Sequence, residues 1–213
     1  MKKIFYLAIV FFAILLIQTK TFAKNIEENR AYFPPVIMYH DIRTEPLNFM
    51  DVTVENFANQ LDFLQKDGWQ TLSMDEFVKI IESKKIFPKK SVLITFDDGY
   101  QGIFKYAAPE LEKRNMKATF FILPGALDKT SGDYPHITTE ELKILSENPL
   151  FSIESHTITH PYLNQLNSEE QDKEIGESKK ILEKITGKKV QAIAYPTGAY
   201  DKYVINKSYC GRI

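Results

Sequence analysis

Val92-Leu93-Ile94-Thr95-Phe96 is an apolar run that ends on Asp97-Asp98-Gly99. A continuous apolar run, rather than an alternating one, suits a strand covered on both faces, as in a parallel sheet. Similar β-type runs lie at Val36–Tyr39, Trp69–Leu72, Ala118–Leu123, Phe151–Glu154 and Gln191–Tyr195. Helical signals fill the intervals. Thr53 is placed to cap a helix with Phe57, Leu61 and Leu64 on one face, ending at Gly68. Ser73 with Glu76 reads as a capping box before Phe77, Ile80 and Ile81, and Thr138 with Glu141 repeats it. A long helix from Ser168 turns Ile175, Leu182 and Ile185 inward and stops at Gly187. Gly102–Arg114 also reads as helix, interrupted in pattern by Pro109. Strand-helix alternation predicts an α/β fold with a parallel sheet and helical crossovers. An irregular, incomplete (β/α) barrel and an open doubly wound sheet both satisfy it.

The remaining sequence narrows the class of protein. The chain has 213 residues, 44% hydrophobic and 26% charged, and a formal net charge of -1. That balance suits a single globular domain and argues against a nucleic-acid partner. Cys210 is the only cysteine, which excludes an internal disulfide and a thiolate-rich zinc site. Lys2 and Lys3, the apolar run Ile4–Ile17 and the small residue Ala23 have the layout of a secretory signal peptide cleaved after Ala23. The run is short of the ~20 residues of a membrane span. Residues 1–23 are thus expected as signal, 24–33 as a loose segment and 34–213 as the folded domain of an exported protein. Membrane contact is expected only if the signal stays uncleaved.

Polar clusters follow several predicted strands: His40 after the first, Asp97 and Asp98 after the central one, His156 and His160 after Phe151–Glu154, and Tyr195 closing the last. Strand carboxyl ends gather on one face of parallel α/β proteins, so these segments can converge. Two imidazoles and one carboxylate give three ligands with a position left open for water, the catalytic pattern for zinc, and the trio also suits iron(II). Of two adjacent aspartates, one can bind metal while the other serves as base. Amide hydrolysis further needs an acid for the departing amine and an N–H for the oxyanion. His136, in a loop after Tyr134-Pro135, reads as a surface residue.

Thr95-Phe96-Asp97-Asp98-Gly99 and His156-Thr157-Ile158-Thr159-His160 resemble the first two signatures of the polysaccharide deacetylases of carbohydrate esterase family four. The resemblance implies the irregular (β/α) barrel of that family. It implies Asp97 as general base and Asp98, His156 and His160 as ligands of a divalent metal, zinc first, with iron, cobalt or nickel as alternatives. Ala194-Tyr195-Pro196-Thr197-Gly198 is similar to the third signature, with Ala194 in place of the arginine that braces the base. There the resemblance implies an oxyanion donor at the Thr197 N–H, with Tyr195 beside the substrate. Val36-Ile37-Met38-Tyr39-His40-Asp41 resembles the opening of the subgroup acting on poly-β-1,6-N-acetylglucosamine, a biofilm exopolysaccharide. That likeness implies His40 as the catalytic acid and an N-acetylated polysaccharide as partner. Alternatives are a chitin or peptidoglycan deacetylase and a truncated remnant that is inactive or only binds carbohydrate. Domains of the family continue past the third signature, so the end at Ile213 implies a C-terminally truncated domain, with an exposed strand edge and an unfilled core face. The tail Ser208–Ile213 shows no strand or helix pattern.

Overall fold

A computed structural model describes residues 33–210, with the side chains of residues 209 and 210 left out. The expected signal peptide and most of the loose segment lie outside these residues. Two units are distinguished. In the smaller, which includes Phe33 and Ile86–Pro88, the rings of Phe33 and Phe87 meet edge to face at 5.4 Å. The larger runs from Pro34 to Lys85 and from Lys89 onward.

Its centre is β5 (Ser91–Phe96), buried at all six positions. β1 (Val36–Tyr39) pairs with β5, β5 with β6 (Ala118–Ile122), and β6 with β9 (Phe151–Ser155), all parallel; β4 (Gln70–Thr71) also joins β5. With its helical crossovers this is the expected incomplete (β/α) barrel. Two short pairs escaped the sequence pattern: β2 (Asp41–Arg43) with β3 (Asp51–Thr53), parallel, and β7 (Thr130–Ser131) with β8 (Tyr134–Pro135), antiparallel. Strands of two or three residues are too short to show periodicity.

The capping residues start helices as predicted. Thr53 caps α1 (Val54–Lys66), which buries Phe57, Leu61 and Leu64. Full capping boxes begin α2 (Met74–Glu82) at Ser73 and Glu76, and α4 (Thr139–Glu147) at Thr138 and Glu141. α2 departs from its expected face, since Met74 is its buried residue and Ile81 is exposed. Between them, a π-helical turn at Ile103–Ala107 runs into α3 (Ala108–Lys113), with Pro109 in its first turn, where the missing N–H costs nothing. α5 (Ser168–Thr186) buries Ile175 and Leu182 and ends on Gly187 at φ 67. α6 (Lys202–Cys210) replaces the patternless tail expected from Ser208 on; Val204 anchors it in the core.

One further expectation needs correction. Gln191–Tyr195 is not a strand but a single bridge, Ile193 to Ser155. The N–H groups of Gln191 and Ala192 are taken by Glu154 Oε2, both at 2.8 Å, instead of extending a ladder. Burial pushes the Glu154 carboxyl up to about 7 despite those two bonds, which favour its charged form. β1 has β5 as its one strand partner among the described residues, and Val36 and Met38 are exposed.

The core is strongly aromatic. The ring of Phe96 lies 5.2 Å from Tyr39, 5.7 Å from Phe57 and 5.3 Å from Phe120, and Phe120 reaches Phe151 at 5.2 Å. These contacts tie α1 and four strands together directly beneath the acidic pair.

Candidate metal centre

β5 delivers Asp97 and Asp98 at its carboxyl end, where the chain turns sharply. Asp98 has φ 71 and Gly99 φ 81, so glycine meets a conformation it adopts freely. The Asp97 N–H donates to the Tyr39 carbonyl at 2.9 Å. That bond continues the β1–β5 register and sets His40 alongside the pair. On the other side the His156 N–H donates to the Ile122 carbonyl at 3.0 Å, aligning the ends of β6 and β9.

From these ends three side chains converge. Asp98 Oδ1 lies 3.4 Å from His156 Nε2 and 3.6 Å from His160 Nε2. One ligand atom from each of the three lies within 4.8 Å of the others. Asp98 Oδ1 is buried and makes no hydrogen bond. An orphaned buried carboxylate oxygen is expensive, and a cation between it and the two imidazoles removes the penalty. His156 Nδ1 sits 2.9 Å from the Ala194 carbonyl. A carbonyl only accepts, so Nδ1 carries the hydrogen and Nε2 presents its lone pair to the site. The donor set therefore fits a divalent ion.

The surroundings push the two aspartates apart. Burial raises the Asp97 carboxyl above its ordinary range, with Asp98 adding to it and His156, His40 and His160 opposing. Burial also acts on Asp98, but His156, His160 and His40 outweigh it and hold Asp98 below that range. His156 is raised: burial opposes its charge, while Asp98, Asp97 and the Ala194 carbonyl overcome that. Neighbouring acids separated in this way suit a division into proton acceptor and permanently charged ligand.

Tyr195 is half-buried, with its ring 5.6 Å from that of Tyr200. Thr197 is exposed in a left-handed turn at φ 56. Ala194 carries only a methyl group and cannot hydrogen-bond Asp97 through its side chain, yet its main chain is used twice: the carbonyl on His156, and the N–H on the Ser155 carbonyl at 3.0 Å.

His136 is not the surface residue expected. It is 8% exposed, its ring tilted against that of Tyr100 at 4.8 Å and its backbone bridged to Tyr100 in antiparallel fashion. The Ile137 N–H bonds the Gly99 carbonyl at 3.0 Å, which draws the segment across the end of β5. The buried Ile137 was the available signal. Burial lowers the His136 imidazole, partly offset by Asp98. His136 thereby joins Asp98, Tyr100, Gly125, Lys129 and His160 in lining a cleft of about 490 Å³. Tyr100, also missed, is raised by burial and by Asp98.

An open cleft thus lies over a carboxylate and two histidines at the strand ends of an incomplete barrel, an arrangement that could hold a metal ion. Residues 84–209 match the polysaccharide deacetylase family model, and the chain belongs to that family. It is 36% identical over 168 residues to YxkH of Bacillus subtilis strain 168, a protein named for a polysaccharide deacetylase, covering 79% of this chain and 58% of that protein. It is 32% identical over 156 residues to the poly-β-1,6-N-acetyl-D-glucosamine N-deacetylase of Staphylococcus epidermidis, covering 69% of this chain and 54% of that one. The chain thus spans less than two thirds of the length of these curated relatives. Among solved structures, the Streptococcus pyogenes deacetylase PplD in complex with acetate superposes with a TM-score of 0.76 at 28% identity, over 84% of this chain and 80% of that one.

Proposed function

We propose that the protein hydrolyses N-acetyl groups of an N-acetylglucosamine polymer, poly-β-1,6-N-acetylglucosamine before chitin or peptidoglycan, at a divalent metal held by Asp98, His156 and His160. The observation that carries the reading is the unpartnered Asp98 Oδ1 facing two imidazole Nε2 atoms. The substrate choice is supported by the likeness to the Staphylococcus epidermidis enzyme. Zinc is the proposed ion, since three N/O ligands leave a fourth position open. When bound, it polarises the acetyl carbonyl and lowers the pKa of a water molecule towards about 7.

Asp97 accepts the proton of the attacking water. His40, across the pair from the histidine loop, donates a proton to the departing amine. The Thr197 N–H donates to the carbonyl oxygen as it gains charge, and Tyr195 borders the acetyl group. The C–N bond breaks, and acetate and a free amine leave. The protein is proposed to act outside the cytoplasm, on the strength of the basic head and apolar run in residues 1–23. Among the described residues no helix is long and apolar enough to cross a membrane.

Acetate release from β-1,6-linked N-acetylglucosamine oligomers, with and without a chelator, tests the reading. Release that a chelator abolishes and zinc restores is expected, as is its loss in Asp97→Asn. Chelator-insensitive release, or wild-type rates in Asp97→Asn, would overturn it. A β-1,4-linked panel run alongside decides the linkage.

A further inference from the structure

The loop between the two histidines is held from outside by one helix. Glu174 of α5 places both carboxylate oxygens on it. Oε2 accepts the N–H groups of Ile158 at 2.8 Å and Thr159 at 3.0 Å, and Oε1 accepts the Thr159 hydroxyl at 2.7 Å. One turn further along α5, the Ser178 hydroxyl lies 2.8 Å from that of Ser155, which accepts the Thr157 N–H at 3.2 Å. One turn before, Gln171 donates to the Leu163 carbonyl at 2.8 Å. Positions 171, 174 and 178 share one side of a helix, so a polar stripe on α5 grips the chain from Ser155 to Leu163.

The loop needs such a grip. Thr157 at φ 70 and His160 at φ 64 adopt left-handed conformations that side chains disfavour. The His160 N–H finds the Thr157 hydroxyl at 3.2 Å, so the strained residues support each other. From the opposite side the Gly125 N–H holds the Ile158 carbonyl at 3.1 Å. Without an acceptor for the Ile158 and Thr159 N–H groups the loop can relax, and His160 is the ligand that moves. His156 is fixed separately, by Ala194 and by the end of β9.

We propose that Glu174 is a positioning residue for the metal centre, holding His160 in coordinating geometry by clamping Ile158 and Thr159. The proposal rests on the metal reading of Asp98, His156 and His160. Both Glu174 oxygens are engaged by the loop, so its role is to place a ligand rather than to supply one.

The test is zinc binding by the metal-free protein, titrated against a chromophoric chelator, in the wild type and in Glu174→Ala, Glu174→Gln and Glu174→Asp, with the metal-free Tm recorded for each. Loss of a group that orients a ligand weakens metal affinity by about 10- to 100-fold, and that loss is expected for Glu174→Ala. Glu174→Gln should recover most of it, because the amide oxygen can accept both N–H groups and the amide N–H can donate to the Thr159 hydroxyl. Should Glu174→Ala fail to fold, Glu174→Asp carries the test: one methylene short of the loop, it should lose affinity while keeping the metal-free Tm. Wild-type zinc affinity in a folded Ala or Asp variant overturns the proposal and leaves the metal reading standing. A wild type that binds no zinc overturns both.

Discussion

His156 Nδ1 and the Ala194 carbonyl, 2.9 Å apart, link the second histidine-bearing strand end to the segment that departs from the family pattern. Since that bond fixes the tautomer, His156→Asn tests it cleanly. Asparagine can still donate to the Ala194 carbonyl but has nothing at the Nε2 position. Zinc affinity should fall by more than ~100-fold with Tm nearly unchanged. Retained affinity in calorimetry would remove His156 from the ligand set.

Gly125 backs the histidine loop so closely that an added Cβ would lie 2.5 Å from the Ile158 carbonyl oxygen and 3.0 Å from its Cγ2. The first neighbour is backbone and cannot swing aside. Gly125→Ala should therefore shift the loop, lower zinc affinity and destabilise the protein by ~1–3 kcal/mol, as overpacking does. Unchanged melting and zinc titration curves would show that the loop yields freely.

Phe96 sits at the centre of the aromatic core with no exposed surface. Phe96→Ala should cost about 3–5 kcal/mol in denaturant unfolding, the range for a large buried ring. A cost under about 1 kcal/mol, well below that range, would mean the strands beneath the acidic pair do not depend on this cluster.

Tyr39 supplies a pH-dependent component of stability. Burial raises its phenol to about 12, and its hydroxyl donates to Gln60 at 2.7 Å. The folded state thus holds the proton more tightly than the unfolded chain, whose phenol titrates near 10. The contribution is complete below about 10 and is lost as pH rises from there through about 12. Tyr39→Phe keeps the ring contacts with Phe57 and Phe96 and should flatten this part of the alkaline unfolding curve. Parallel curves for the two proteins would exclude it.

How much of this could be read in advance follows from the range of each interaction. Capping at Thr53, Ser73 and Thr138 is local, within three residues, and the helices began there. The apolar runs placed β1, β5, β6 and β9, and with them Asp97, Asp98, His156 and His160 at the same ends. Gln191–Tyr195 misled because its apolar side chains face the core while the N–H groups of Gln191 and Ala192 are claimed by Glu154, contacts 37 and 38 residues distant in sequence. His136 misled because turn chemistry around Gly132 and Pro135 hides a bridge to Tyr100. The gripping residues of α5 gave no signal: the apolar stripe through Ile175 and Leu182 is periodic, whereas acceptors for a loop have no period.

Thr157 shows what that histidine loop asks of the rest of the molecule. A β-branched residue at φ 70 is among the least comfortable occupants of left-handed space, yet its hydroxyl is what meets His160. Glycine there would suit the backbone better and leave the His160 N–H without its acceptor. Thr157 thus accepts a strained backbone in exchange for the bond that holds the His160 N–H.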